Sequence, residues 1–149
     1  MADIKAMLAT CPRLTFTGDR DRAILLGLLD TGCRASEFLA LDIGDVNLAT
    51  GAVIIRRGKG GKWRTVFLGA KARREVIRYL RHRTDDEPLW VTVRGHRLGY
   101  SGLRQIVRRR ASKSRRAYPL TAQFQTRVCL DLPAKWGRRL QPAKAHGPR

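Results

Sequence analysis

The chain has 149 residues, with 31 lysines and arginines against 12 aspartates and glutamates and a formal net charge of +19. Charge this dense repels itself unless a polyanion offsets it, and nucleic acid is the usual polyanion because each phosphate contact releases condensed counterions. No run of about 18 apolar residues is present to cross a membrane, and Asp3 with no apolar stretch after it argues against a secretory signal.

Cys11, Cys33 and Cys129 are odd in number and far apart, which suits neither a disulfide framework nor a zinc site. His82, His96 and His146 are isolated, so no motif calls for a metal or any other cofactor. The expected setting is a reducing cytoplasm, with the protein on the nucleoid. The length suggests one domain, or one domain plus an appendage.

Residues 1–18 read as a short approach segment. Asp21 to Leu29 is nearly continuous apolar sequence, and a helix apolar almost all round belongs in a core. Gly32 is placed to cap it, since glycine enters the left-handed region cheaply. Ser36 to Leu41 predicts a second, short helix. Asp45 to Gly51, with Asn47 and Thr50-Gly51, is a turn.

Ala52 to Arg57 and Trp63 to Leu68 are β-branched or aromatic runs. The five residues between them include Gly58, Gly60 and Gly61, so a hairpin is expected. Ala72, Val76, Ile77 and Leu80 recur at helical spacing, with Arg73, Arg74, Arg78 and Arg81 on other faces. Pro88 to Thr92 reads as a strand, Gly95 as a turn, and Leu103, Ile106 and Val107 as one face of a further helix ending in Arg108-Arg109-Arg110. The expected class is α+β, mainly helical, with a small antiparallel sheet of three strands.

Two segments carry the chemistry: Thr31-Gly32-Cys33-Arg34-Ala35-Ser36-Glu37-Phe38-Leu39-Ala40-Leu41 and Gly58-Lys59-Gly60-Gly61-Lys62-Trp63-Arg64-Thr65-Val66-Phe67-Leu68. The first puts an arginine in a turn between helices, where a planar, permanently charged fork suits a phosphate. The second puts a lysine at the tip of a glycine-rich turn, where backbone can crowd close to a large anion. Taken singly, Arg34 also reads as an ordinary helix-start arginine paired with Glu37, and Lys59 as part of a flexible surface turn. A Walker loop fails, because Gly60 and Trp63 follow the two lysines where Ser or Thr is required.

Together the two segments, with Arg20 to Leu26, Pro88-Leu89-Trp90-Val91 and Leu103 to Lys113, resemble the catalytic domain of the tyrosine recombinase (phage integrase) family. The resemblance implies that Arg34 and Lys59 are catalytic. Arg34 would stabilise charge on the scissile phosphate, and Lys59 would protonate the leaving 5′ oxygen. It also implies that Glu37 supports a neighbouring side chain, that duplex DNA is the substrate, and that other recombinase subunits are partners. Lys62 and Arg64 are expected to touch the DNA backbone, the alternative being solvated hairpin charge.

The resemblance has gaps. The family's upstream DNA-clamping domain, its His-x-x-Arg box, its later Gly-His and its terminal nucleophilic tyrosine are not found. Tyr79 falls inside an amphipathic helix, Tyr100 comes too early, and Tyr118 has no family-like surroundings. Strand transfer needs a tyrosyl oxygen to attack phosphorus, so the expected activity is DNA binding without turnover. The competing reading is a small basic nucleic-acid-binding protein without enzymatic ancestry.

Near Lys113 the pattern changes. From Ser114 on, no period is sustained, Pro119, Pro133, Pro142 and Pro148 interrupt every candidate helix, and Asp131 is the only acidic residue. A boundary is placed there, between a 1–113 catalytic-domain portion and a 114–149 basic, poorly ordered tail.

Codon logic suggests what the tail is. With Ala122 to Thr126 written GCA CAG TTT CAG ACG, a frame moved forward by one base reads CAC AGT TTC AGA CG, which is His-Ser-Phe-Arg-Arg. Continuing to Arg149 permits Val-Phe-Ala-Leu-Thr-Cys-Leu-Arg-Asn-Gly-Val-Asp-Val-Tyr-Ser-Leu-Gln-Lys-Leu-Met-Gly-His. That string resembles the family's missing His-x-x-Arg helix and its Leu-x-Gly-His, so the tail is expected to be an out-of-frame reading of them. The alternative is a real basic tail selected for DNA binding.

Overall fold

The computed structural model describes residues 2–56, 61–85 and 87–114. The elements are α1 (Ala2–Ala9), α2 (Phe16–Thr31), α3 (Ala35–Leu39), a 3-10 turn (Ile43–Asp45), β1 (Ala52–Ile55), β2 (Arg64–Phe67), α4 (Ala70–Leu80) and α5 (Tyr100–Lys113). The chain is α+β, mainly helical, with one small antiparallel sheet.

Helix α2 is the central element, and local chemistry sets both its ends. The Thr15 hydroxyl accepts the Gly18 N–H at 3.1 Å, filling one of the donors every helix start leaves open. Asp19 sits in the first turn, at the positive end of the helix dipole. At the other end Gly32 adopts φ 59°, and its N–H closes back on Leu28 O at 3.0 Å. Between them Ala23, Ile24, Leu25 and Leu28 are buried; α2 packs on α4, whose Ala72, Val76 and Tyr79 are buried in the same core. Trp90 lies stacked between Phe38, at 4.9 Å, and Tyr79, at 5.6 Å, and closes the core.

Two expectations are corrected. Residues 1–18 are not a mere approach: α1 occupies Ala2–Ala9, Met7 and Cys11 are buried, and α2 already begins at Phe16. Gly18 is needed in that α2 start, since a Cβ there would lie 1.7 Å from Pro12 O. The sheet has two strands among the described residues, not three. Residues 88–92 form only isolated bridges, Pro88 with Asp42 and Val91 with Arg97. Pro88 has no N–H to extend a ladder. Leu89 N–H is bonded to Leu41 O at 2.9 Å, and Leu98 N–H to Trp90 O at 2.8 Å, so the segment folds on itself around Gly95.

The β1–β2 register pairs Ala52 with Phe67, Val53 with Val66, Ile54 with Thr65 and Ile55 with Arg64. Val53 and Ile55 face the core while Ile54 and Phe67 face out. The exit of β2 is tied to α2 by Gly69 N–H donating to Asp30 Oδ2 at 2.8 Å.

A buried ionic knot joins α1, α2, α5 and the 88–98 segment. Asp21, fully buried on α2, accepts from Arg20 Nη2 at 2.9 Å on one oxygen and from Arg110 Nη2 at 2.6 Å on the other. Arg110 also donates to Thr10 O, and Arg20 to Val91 O. The segment predicted as a tail from 114 onward lies, from residue 115, outside the described residues.

Candidate nucleic-acid interface

Arg34 stands at the N-cap of α3, two residues after the left-handed Gly32. Its neighbours Cys33 and Ala35 are buried, which pins the turn to the core and leaves the Arg34 side chain pointing to solvent. Its backbone N–H donates to Glu37 Oε2 at 3.0 Å. Glu37 therefore closes the start of α3, as acidic residues three positions after a cap commonly do.

Glu37 does more than cap. It is buried, and both its oxygens accept from Arg64 of β2, Nη1 to Oε1 and Nη2 to Oε2, each at 2.8 Å. The forked pair outweighs the cost of burial and holds the Glu37 carboxyl below its ordinary pKa. The same contacts raise the pKa of Arg64, fixing its charge more firmly. Two segments far apart in sequence are thus bolted together: the Arg34 turn and the second strand of the hairpin.

The expected site residues separate into different roles. Arg34 has no ion-pair partner among the described residues, so its fork is open to an external anion. Glu37 grips the Arg34 backbone, not its side chain, and directs its carboxylate to Arg64. Arg64, expected at the DNA backbone, spends its fork on Glu37. Lys62 is exposed at the foot of the hairpin turn. Lys59 lies outside the described residues.

Of the tyrosines, Tyr79 is fully buried and its oxygen accepts the Val91 N–H at 3.2 Å. Burial also raises its pKa, the opposite of what a nucleophile requires. Tyr100 opens α5, and Tyr118 lies outside the described residues.

One arrangement escaped the sequence reading. Asp45, in the 3-10 turn, is buried; one oxygen accepts the Asp42 N–H at 3.0 Å, and the other lies 2.6 Å from Arg56 Nε. Arg56 in turn lies over the Trp63 ring, 6.0 Å from its centroid. A second acidic cap thus holds a second hairpin arginine. The signal available was Asp42-x-x-Asp45, the cap spacing of Arg34-x-x-Glu37 repeated. Among the described residues no cluster of His, Cys, Asp and Glu could hold a metal ion, and no helix is long and apolar enough to cross a membrane.

The sequence profile of the phage integrase family matches residues 1–126. The chain belongs to that family. The match begins ahead of Arg20 and continues past Lys113, so it reaches beyond the residues that first carried the resemblance. Among the relatives of this phage integrase family member, tyrosine recombinase XerA of Pyrococcus furiosus is 41% identical over 86 residues, covering 58% of this chain and 29% of that protein. XerC of Pelobacter propionicus is 44% identical over 93 residues, covering 60% and 30%. XerD of Ralstonia nicotianae is 34% identical over 128 residues, covering 80% and 41%. The chain thus spans about a third of the length of the curated relatives it matches.

The crystal structure of XerA recombinase superposes with a TM-score of 0.67 at 20% identity, covering 99% of this chain and 64% of that one, which establishes the shared fold. XerH site-specific recombinase, bound to its palindromic difH substrate, superposes with a TM-score of 0.60 at 25% identity, covering 76% and 35%.

Proposed function

We propose that this chain is a DNA-binding portion of a site-specific tyrosine recombinase, which grips duplex DNA through the Arg34 turn and the hairpin but does not cleave a strand by itself. The observation that carries the reading is the state of Arg34. It is exposed, makes no direct ion pair among the described residues, and is held at its backbone by the carboxylate that anchors the hairpin through Arg64. An exposed guanidinium on a fixed backbone, beside a basic hairpin, suits a phosphate in a duplex. Family membership and a structural neighbour solved on its DNA substrate support the same reading.

In a recombinase the Arg34 fork would sit on the non-bridging oxygens of the scissile phosphate and stabilise charge that builds in the transition state. Lys59, by family resemblance, would supply the proton to the departing 5′ oxygen. Lys62 would add a backbone contact. The covalent step needs a tyrosyl oxygen, and Tyr79, sealed in the core, cannot supply it.

The test is a nicked suicide duplex incubated with the chain and run on a denaturing gel. The expected result is no covalent adduct, alongside retarded duplex on a native gel. A covalent band lost on Tyr100→Phe or Tyr118→Phe would overturn the absence of cleavage. A chain that fails to retard duplex DNA at low salt would overturn the reading altogether.

A further inference from the structure

The two-stranded sheet turns an apolar face outward. Alternation along the hairpin sends Val53, Ile55, Arg64 and Val66 toward the core side. Ile54, 38% exposed, and Phe67, 62% exposed, go to the other side, and Trp63, just ahead of β2, is 69% exposed. Three large exposed apolar side chains on one small hairpin need an explanation, since singly scattered ones are ordinary but grouped ones mark interaction surfaces.

Trp63 is also held. Asp45 is buried and fixed by its own backbone bond to Asp42, Arg56 is anchored to Asp45 at 2.6 Å, and the Arg56 guanidinium lies over the indole. Such a cation–π contact restrains a ring that would otherwise move freely. The ordering cost of presenting this indole is therefore already met on folding. Lys62 is its immediate neighbour in the chain and is exposed.

The surroundings decide between occupants. A second copy would bring another Arg56, another Lys62 and another chain of formal charge +19 against this face. A polyanion meets the same cations favourably, and its sugars and base edges offer apolar surface to the indole.

We infer that Trp63, braced by Arg56 and flanked by Lys62, is a DNA-contacting residue: its ring packs into a groove of the duplex while the two cations take flanking phosphates. The inference rests on the DNA-binding reading and adds to it an apolar contact that bulk charge does not supply. An apolar contact with sugars and base edges depends little on salt, whereas phosphate contacts weaken as salt rises.

The experiment is a mobility-shift titration of the full chain with a random-sequence duplex at several salt concentrations, using the parent, Trp63→Ala, Trp63→Phe and Lys62→Ala. Sedimentation of each without DNA runs in parallel. Because Trp63 is mostly exposed, its truncation opens no cavity. Trp63→Ala should weaken duplex binding about tenfold at every salt concentration and leave the salt slope unchanged, as expected for loss of a partly buried apolar ring. Trp63→Phe should recover most of the affinity. Lys62→Ala should instead lower the slope by about one phosphate's worth. Parent-like affinity in Trp63→Ala would overturn the inference while leaving the DNA-binding reading intact. Loss of self-association in Trp63→Ala with unchanged DNA affinity would assign the face to a second copy and overturn it too. A parent that does not bind duplex would overturn the underlying reading first.

Discussion

Glu37 and Arg64, 27 positions apart, meet in a two-pronged ion pair with both arms at 2.8 Å. The carboxylate also receives the backbone N–H of Arg34, so one side chain sets the geometry of the turn and of the hairpin together. Asp45 likewise takes a cap N–H and an arginine, but it meets Arg56 through a single ionic contact of 2.6 Å.

Glu37→Gln keeps the shape and removes the charge. It should destabilise the fold by about 1–3 kcal/mol at neutral pH, with Arg64 left half in solvent and able to recover part of its hydration. The pH dependence follows from the lowered carboxyl pKa. A depressed folded pKa gives stability that is present above the unfolded value, about 4.3, and is lost as pH falls through the folded value. Denaturant melts should therefore show a gap between parent and variant that is full at pH 7 and closes in strongly acidic solution. A gap independent of pH would contradict a charged Glu37.

Asp21 is a sharper case because it is fully buried between two arginines. Asp21→Ala leaves two buried guanidinium groups facing each other without an anion. It should cost about 3–5 kcal/mol, as the breaking of buried pairs does. Arg110→Ala should cost less, since Arg20 still neutralises Asp21. Thermal melts of the two variants give the order, and equal losses would show that the knot does not depend on Asp21.

From about Ala122 to Arg149 we propose that the reading frame has slipped, so that the chain carries an out-of-frame version of the family's second arginine box. The gene decides it directly. The codons of Ala122 to Arg149, read one base forward, should spell His-Ser-Phe-Arg-Arg and, later, Leu-Met-Gly-His. Any other string contradicts the proposal.

Much of the fold was legible because local rules govern it. Gly32 could be read as a cap from its residue type alone, and the hairpin from β-branched runs around three glycines. What escaped depends on partners distant in sequence. Arg64 looked like hairpin charge free for DNA, because nothing within a few positions shows that Glu37 takes both its arms. Helix α1 was missed because its burial comes from tertiary packing of Met7, not from a marked periodicity. The α2 start was missed for a different reason, since the Thr15 cap was there to be read. The third strand failed on Pro88, whose lack of an N–H could have demoted it. The Asp45–Arg56–Trp63 chain needed the hairpin's facing to be known, and only the register supplies that.

Duplex binding should be strongly salt-dependent. If about six phosphates are engaged, affinity should fall roughly a thousandfold between 50 and 200 mM salt. Binding insensitive to salt would contradict an interface built on arginine and lysine.

We propose Arg34 as a positioned phosphate contact and not one cation among many. Arg34→Ala and Lys113→Ala each remove one charge, the first from the braced α3 turn and the second from the end of α5. Both side chains are exposed, so neither change should unfold the chain. Measured against the same duplex at the same salt, Arg34→Ala should weaken binding about tenfold, and Lys113→Ala only two- to threefold, as expected of a charge-assisted contact against a diffuse one. Equal losses in the two variants would contradict the account and leave only bulk charge to explain the binding.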